Sequence, residues 1–547
     1  MIDVKVYNEN DLCEILHEAN KGHTPYGLIK DDNSHVRYLK QYLGSKGLNS
    51  KFYLVENDYI SVDYLTDYSF YYSKSFPKYG NKCVRLHFFT YENANVEVFS
   101  EELKKALIYE PHLENSNRIF WDENYLGFIV VRPIPVFIIG YTILKHYNFN
   151  NTKSHYSSNR NYWGIKKYPV HVLGTETMIE SLAFMSQDSN IAACATMAVW
   201  SLLQRAVESY FINLKSPYEI TKDAGITIND GNRIFPNGGL DFVSTCHAIT
   251  RCNLVTEIRR FKSKAEANLK LKTYVYAYSS LGLPIILGIM VPSGDELAGH
   301  AIAICGHSIG MKKQETLFEK GKMFLKDKLT ESNKLLKLKS ESIDKLYAHD
   351  DQWGPFAMLE FDEDNKLKTS WGEKSCEVYA IVASVFPKIR IPLEDIEINT
   401  VGLNNFINAE LGHTIKGKIE WDIQLKFSSD FKNELQKAEQ IDKTNALEKE
   451  ILLKILIDPM PKYVWVATMY IGDYKLVHFI YDATGLRHTN CLLSVYSYFP
   501  SFMNRFIKRV EEIGIQYASD QAALRKLERS LHTTVHKFNE ILKKYYI

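Results

Sequence analysis

Apolar residues recur at helical spacing in one stretch near the middle of the chain. This spacing places them on one face of a helix with about 3.6 residues per turn. Just before the first turn come Asp188, Ser189 and Asn190, all residue types that cap helix N-termini. The pattern predicts a capped helix that starts just before Cys194. The apolar members are Ile191, Ala195, Ala198, Leu202, Leu203, Ala206 and Tyr210.

Two strongly apolar runs follow this helix, at 283–291 and 299–306, and both indicate buried strands. His300 stands at the start of the second run. Residues 346–355 read as a further strand that enters a tight turn at Asp351-Gln-Trp-Gly354. The cysteine, the histidine and the aspartate thus each fall at the beginning or end of a predicted element.

The remaining pattern predicts an α+β protein with three regions. Residues 1–164 form a mixed α/β region, with helices at 9–20, 33–44 and 99–108, and residues 148–162 resemble a linker. Residues 165–395 carry the cysteine helix and the apolar strands, with a lysine-rich insertion at 310–345. Residues 396–547 form an α+β region that ends in long amphipathic helices.

Charge and cysteine usage narrow the function classes. Lysine plus arginine (66) nearly equal aspartate plus glutamate (65), so no overall charge favours nucleic acid or an anionic membrane. The 8 cysteines have no CxxC spacing, which favours reduced thiols and a cytoplasmic protein. The apolar stretches at 125–144 and 276–291 contain proline, so we expect no membrane span.

Cys194, His300 and Asp351 supply the parts that thiol catalysis needs. A helix N-terminus favours thiolate over thiol, a histidine holds and returns the proton, and a third group orients the histidine. Asp350 competes with Asp351 for the third role, because neighbouring strand residues face opposite ways. The spacing to Trp353 and Gly354 selects Asp351.

These motifs resemble the papain-like cysteine peptidase superfamily, including its bacterial, bacteriocin-processing branch. Cys194 opens a helix as the family nucleophile does, Gly299-His300-Ala-Ile-Ala-Ile-Cys-Gly306 is similar to the family's histidine strand, and Asp351-Gln-Trp-Gly354 is similar to its Asn-x-Trp-Gly turn. The resemblance covers residues of about 180–390. It implies a papain-like core, in which the nucleophile helix packs on an antiparallel sheet, and a triad of Cys194, His300 and Asp351.

The oxyanion donor stays open. The resemblance places a glutamine six residues before the cysteine, whereas Gln187 lies seven before and Asp188 occupies the sixth position. A carboxylate there would repel a developing oxyanion. Gln187 and the backbone N–H of Cys194 are therefore the two candidate donors.

The expected function is a papain-like thiol hydrolase that cleaves a peptide, isopeptide or amide bond through an acyl-enzyme on Cys194. Acyl transfer to an amine on the same triad and a non-catalytic papain-like scaffold are the alternatives. No metal or organic cofactor is expected. The expected partners are a protein or peptide substrate and a protein that binds the flanking regions or the 310–345 insertion, with no nucleic acid and no membrane span.

We expect structural roles for the other polar side chains that the sequence singles out. Arg85 and His87 share one face of a predicted strand, which we interpret as an outward or interdomain polar face. Cys246, His247 and Cys252 could be combined with His300 as a metal set, but they lack the tight paired spacing of zinc sites. We also expect structural roles for His307, His349, Asp482 and His488.

Overall fold

The computed structural model confirms a mixed α and β fold built on several sheets, and the strand pairings with a described register are antiparallel. Contacts divide the chain into two compact units. The first comprises Met1–Asn268, Gly282–Gly310 and Asp344–Ser384, and the second comprises Leu269–Leu281, Met311–Ile343 and Val385–Ile547. The described residues are 3–20, 33–93, 95–108, 114–135, 138–146, 160–188, 190–208, 212–225, 234–235, 239–261, 263–293, 296–310, 336–362, 366–369, 376–412, 415, 417–486 and 491–546.

A five-stranded sheet in the order β1-β2-β3-β4-β5 organises the N-terminal part of unit 1. The helices predicted at 9–20, 33–44 and 99–108 correspond to α1, α2 and α4. The elements are β1 (Val4–Val6), α1 (Leu12–Ala19), α2 (Ser34–Leu43), β2 (Phe52–Tyr59), α3 (Val62–Phe70), β3 (Cys83–Phe89), α4 (Val96–Leu107), α5 (Glu114–Asn124), β4 (Tyr125–Val131) and β5 (Ile139–Leu144).

The rest of unit 1 holds a larger sheet and the cysteine helix. The elements are β6 (Arg160–Tyr162), β7 (Lys166–Val172), β8 (Thr175–Ser181), α6 (Cys194–Ala206), α7 (Pro217–Ala224), α8 (Phe242–Thr250), β9 (Val255–Arg260), α9 (Lys264–Ser279), β10 (Ile285–Ser293), β11 (Glu296–Ile309), β12 (Ile343–Asp350), β13 (Gly354–Phe361), β14 (Leu367–Lys368) and β15 (Glu377–Val385). Most of α9, from Leu269 onward, belongs to unit 2, as do Ile343 at the start of β12 and Val385 at the end of β15.

The order of strands in the larger sheet brings distant parts of the sequence together. Its order is β14-β13-β12-β11-β10-β15-β9, and β6 pairs with β11. Helix α6 packs against β11 and β10. The end of β12 therefore lies beside β11 and close to the N-terminus of α6, which is where the predicted functional residues meet.

The N-terminal region and the cysteine region share one hydrophobic core. Buried Leu16 and Tyr38 belong to the same cluster as Cys305, Tyr347 and Phe356. These residues all lie in unit 1, whereas the sequence predicts a separate region at 1–164. Composition changes along the chain did not reveal this common core, because its members are far apart in sequence.

Unit 2 contains a four-stranded sheet in the order β16-β17-β18-β19. The predicted strand at 463–471 matches β17, and α15 closes the described part of the chain. The elements are α10 (Leu393–Glu410), β16 (Ile419–Phe427), α11 (Ser428–Lys437), α12 (Ala446–Ile457), β17 (Tyr463–Ile471), β18 (Tyr474–Asp482), β19 (Leu492–Ser497), α13 (Pro500–Gln516), α14 (Gln521–Leu531) and α15 (Val535–Lys543).

The predicted insertion at 310–345 falls mostly on residues 311–335, which lie outside the described residues. Its end is described as a 3₁₀ helix at Lys339–Ser342 followed by β12. Within the described part of the chain, every helix is too short or too polar to traverse a bilayer.

Arg85 and His87 do not form an outward polar face. Both are buried, and both side chains contact Glu56: Arg85 Nε lies 2.6 Å and His87 Nε2 3.1 Å from Glu56 Oε2. Tyr125 completes the network with a hydroxyl 2.8 Å from His87 Nδ1. The polar residues of this strand are thus satisfied inside the N-terminal sheet region.

Candidate active site

Cys194 is the first residue of α6. The residue before it, Ala193, is extended (φ −102°, ψ 180°) and provides no side-chain cap. Seven of the eight cysteines are buried, and Cys194 is the one that is partly exposed. The helix start agrees with the prediction, and the exposure separates this thiol from the cysteines that fill the core.

Asp188 supports the loop in front of the helix. Its Oδ1 accepts the backbone N–H groups of Asn190, Ile191 and Ala192 at 3.0, 2.8 and 2.9 Å, and its Oδ2 accepts the Tyr72 hydroxyl at 2.7 Å. The predicted N-cap residue therefore caps the loop and does not cap α6. Four donors satisfy this buried carboxylate, so it serves the loop backbone that leads to Cys194.

His300 lies on β11 and contacts both candidate partners. Its Nε2–H donates to Asp350 Oδ1 at 2.9 Å, and the Cys194 thiol lies within hydrogen-bonding reach of the ring. The ring thus connects a partly exposed thiol with a buried carboxylate.

The charge state of His300 follows from its carboxylate neighbours. Burial disfavours the charged ring, but the attraction and hydrogen bond of Asp350, the contact with Cys194 and the charge of Asp351 outweigh it, and the pKa of His300 is raised well above its ordinary value. An imidazole that holds a proton next to Cys194 is the acid that thiol catalysis requires.

The carboxylate that is hydrogen-bonded to His300 Nε2 belongs to Asp350, although the spacing to Trp353 selects Asp351 as the predicted orienting residue. Asp350 is the last residue of β12, and its Oδ1 also accepts the Gln352 N–H at 3.1 Å. Asp351 Oδ1 lies 4.0 Å from His300 Nε2. The pairing of β12 with β13 shifts register between Ala348 and Asp350, so the two-residue alternation of a regular strand does not hold there.

Asp351 is a second buried carboxylate next to the imidazole. Neither of its oxygens accepts a hydrogen bond from another described residue. Burial raises the pKa of Asp351 to about 7, with Asp350 adding to the rise and His300 opposing it. Asp351 therefore gains and loses a proton near neutral pH. Asp350, in contrast, is the carboxylate that is hydrogen-bonded to the imidazole.

The Gln187 residue is partly exposed. Its backbone carbonyl accepts a hydrogen bond from Arg132, which follows strand β4 of the N-terminal sheet. Arg132 Nη2 donates to the carbonyl oxygens of Ser186 and Gln187 at 3.1 and 3.4 Å, and to the Ser186 hydroxyl at 3.1 Å. Ser186 Oγ in turn donates to the Ile139 carbonyl at 2.8 Å. The main chain of the candidate oxyanion segment is fixed, and both Gln187 and the Cys194 N–H remain candidate donors.

Sequence reasoning missed Arg132 as part of the site. Arg132 follows directly after the apolar strand β4 and is 3% exposed. An arginine inside such an apolar run is a local signal of a buried guanidinium that is held by hydrogen bonds, because an unpaired charge in a core is costly. The Tyr72 contact to Asp188 had no comparable local signal.

The other histidines and the aspartate considered in the sequence, where they are described, lie in the core or in a turn. His307 stacks near Trp163 with ring centroids 5.4 Å apart, and His349 packs against Phe356 at 4.8 Å. Burial lowers the pKa of His307 to about 4 and that of His349 to about 3. Asp482 accepts hydrogen bonds from Thr484 in a turn, and His488 lies outside the described residues.

His300, Asp350 and Asp351 form the one cluster of possible metal ligands in the described part of the chain, with ligand atoms within 4.8 Å of one another. Cys246, His247 and Cys252 do not join His300 in such a cluster. Nε2 of His300 is hydrogen-bonded directly to Asp350. We therefore interpret the cluster as an imidazole paired with a carboxylate, with Asp351 as a second carboxylate beside it. Comparisons of the chain with family models and with curated proteins found no match.

Proposed function

We propose that the protein is a papain-like thiol hydrolase that cleaves a peptide, isopeptide or amide bond through an acyl-enzyme on Cys194. One observation carries the proposal: the only partly exposed cysteine begins a helix and contacts a histidine whose Nε2 is bonded to Asp350. The core in which α6 packs on an antiparallel sheet agrees with the papain-like resemblance. His300 acts as acid and base, and Asp350 takes the orienting role.

In the first half-reaction, the Cys194 thiolate attacks the carbonyl carbon of the substrate. The C–N bond breaks, and protonated His300 gives its proton to the leaving amine. The acyl group is then held as a thioester on Sγ. Neutral His300 next takes a proton from water, hydroxide adds to the thioester carbonyl, and the thiolate leaves to release the carboxylic acid.

Asp350 supports both steps through His300. Its hydrogen bond to Nε2–H fixes the ring orientation, and its negative charge stabilises the imidazolium that forms in each cycle. The candidate donors to the oxyanion of each tetrahedral intermediate are the Cys194 N–H and Gln187. Arg132 and Asp188 hold the loop that carries these donors. The flanking regions are proposed to select a protein or peptide substrate.

Thiol labelling tests the nucleophile. We expect iodoacetamide to modify one residue rapidly near neutral pH, identified by peptide mass as Cys194, and Cys194→Ala to abolish the reaction without loss of fold. Cys246→Ala is the matched control, since that thiol is buried. Equal labelling of wild type and Cys194→Ala would refute the proposal.

A second assay separates hydrolysis from acyl transfer. A peptide library with carboxyl-terminal amides is incubated with the protein and a labelled primary amine. We expect free carboxylates among the products, whereas incorporation of the amine would assign the triad to acyl transfer. Rapid labelling of Cys194 with no turnover of any acyl donor would favour the scaffold interpretation.

A further inference from the structure

Three side chains of helix α2 bind the turn that follows Asp350. They occupy positions 34, 35 and 38, which share one face of the helix, and they engage three backbone carbonyls between positions 352 and 355. All three donors are about 318 residues away in sequence from their acceptors. The bonds join Ser34 Oγ to the Gln352 oxygen (2.6 Å), His35 Nδ1 to the Trp353 oxygen (3.1 Å) and Tyr38 Oη to the Pro355 oxygen (2.6 Å).

The packing of the turn is fitted to the same helix face. A Cβ atom on Gly354 would lie 2.1 Å from Tyr38 Cδ1, so only glycine allows this approach. The Trp353 ring lies 6.1 Å from the Tyr38 ring, and the Arg37 guanidinium lies 5.2 Å from the centre of the Trp353 ring. The contact therefore combines hydrogen bonds with close packing.

The turn residues that α2 holds are also the ones that fix Asp350. The Gln352 N–H donates to Asp350 Oδ1 at 3.1 Å, and the Trp353 N–H donates to the Asp350 carbonyl at 2.9 Å. A chain of direct contacts thus runs from α2 through the turn to Asp350 and His300. Asp350 Oδ1 accepts from both the Gln352 N–H and His300, so a shift of the turn moves the acceptor of the His300 bond.

We propose that α2 is a positioning element of the Cys194 site, and that Tyr38 acts on His300 by holding the turn that places the Asp350 carboxylate. The inference rests on the proposed function. It makes the N-terminal region part of the catalytic apparatus. Tyr38 itself touches neither the thiol nor the imidazole in this scheme, and it acts only through Asp350.

The titratable groups near this chain of contacts determine how the titration of His300 is interpreted. The groups that act on His300 are Asp350, Asp351 and Cys194. Burial lowers the pKa of His35 to about 4, with Asp350 and its bond to the turn opposing this and Arg132 adding to it. His35 therefore stays neutral, with its proton on Nδ1 for the turn carbonyl, over the range in which His300 is measured.

The test compares two tyrosines of α2. Tyr38→Phe removes the bond to the turn, whereas Tyr42→Phe removes a bond of 2.7 Å to the Lys145 carbonyl in the N-terminal region and serves as the matched control. The His300 ring is titrated by NMR in protein labelled with ¹³C at histidine Cε1, with its signal assigned through His300→Gln. Acylation of Cys194 is followed by the nitrophenol burst from p-nitrophenyl acetate.

We expect Tyr38→Phe to lower the His300 midpoint by a few tenths to about one pH unit, the range that one hydrogen bond provides. Acylation should slow several-fold, and Tyr42→Phe should match wild type in both measurements. In an Asp350→Asn background, Tyr38→Phe should not move the His300 midpoint further.

An unchanged His300 midpoint in Tyr38→Phe would overturn the inference, as would an equal shift with and without Asp350→Asn. Failure of the proposed function has a different signature. In that case wild-type Cys194 gives no burst, while the His300 titration still decides whether α2 positions Asp350.

Discussion

Two buried histidines on antiparallel strands differ in what their ring nitrogens contact. His300, on β11 of unit 1, contacts a thiol and a carboxylate. His478, on β18 of unit 2, contacts two hydroxyls, Thr468 Oγ1 at 2.8 Å from Nδ1 and Tyr498 Oη at 2.8 Å from Nε2. Both residues are 4% exposed, so burial alone does not distinguish them.

The partners set opposite charge states. Burial lowers the pKa of His478 well below its ordinary value, and Lys475 and Lys426 add to the decrease. Burial acts in the same direction on His300, but Asp350 reverses the outcome. One histidine is a neutral member of a core network, and the other is a cation held between a thiol and a carboxylate. The neighbouring strand, more than the histidine's own strand, decides the chemistry.

Removing the carboxylate partner should have the largest effect. We expect Asp350→Ala to slow acylation of Cys194 by about 100-fold or more, since general acid–base catalysis contributes at least this much and depends on a fixed, protonated ring. The burst from p-nitrophenyl acetate measures the change. Asp350→Asn should recover part of the rate, because an amide oxygen still accepts the Nε2–H bond without supplying charge.

A rate of Asp350→Ala within a few-fold of wild type would contradict the assignment of Asp350. Circular dichroism of both variants provides the control for folding. If Asp351→Ala alone caused the large loss, the orienting role would belong to Asp351, as the Trp-Gly spacing predicted.

Asp351 should affect pH-dependent stability more than catalysis. Its folded pKa of about 7 exceeds the unfolded value of about 3.9, so its favourable contribution is complete below about pH 4 and is lost as the pH rises through about 7. We expect Asp351→Asn to be more stable than wild type by roughly 4 kcal/mol at pH 8, since about 3 pKa units correspond to about 1.4 kcal/mol each, and by only about 1 kcal/mol at pH 4.5. Urea unfolding at the two pH values measures this.

Other buried carboxylates titrate in the same range, so the comparison uses the difference between variant and wild type at each pH. Asp422, whose pKa burial raises to about 6, gives a reference group in unit 2. Equal pH dependence in Asp351→Asn and wild type would show that Asp351 stays ionised in the folded protein.

Local patterns were enough to predict the elements that carry the site. Apolar spacing located the start of α6 at Cys194, and a continuous apolar run located the strand of His300. Each signal lies within about ten residues. The turn after β12 also lies where Trp353 and Gly354 predict it, and there the hydrogen bond to His300 comes from Asp350 and not from the predicted Asp351.

What remained hidden depends on contacts between distant residues. The register shift before Asp350 arises from pairing with β13, and no one-strand pattern reveals it. Asp188 was expected to cap α6, but Tyr72, 116 residues earlier, holds it against the loop. The contact of Tyr38 with Pro355 spans 317 residues. Such pairings are set by tertiary packing, on which local propensity carries no information.

The smallest effect is expected at the other histidine. His478→Gln keeps polar atoms near the hydroxyls of Thr468 and Tyr498 but cannot match both bonds, so we expect a loss of about 1 kcal/mol in the free energy of unfolding. Because folded His478 stays neutral while the unfolded ring gains a proton near pH 6.5, the loss should be complete at pH 8 and smaller at pH 6 by about 0.8 kcal/mol, and acylation of Cys194 should not change. His300→Gln is the matched variant, and it should abolish acylation. A loss in His478→Gln that is equal at both pH values, or larger at pH 6, would mean that this ring also takes up a proton in the folded protein, and the contrast between carboxylate and hydroxyl partners would then fail to explain the two charge states.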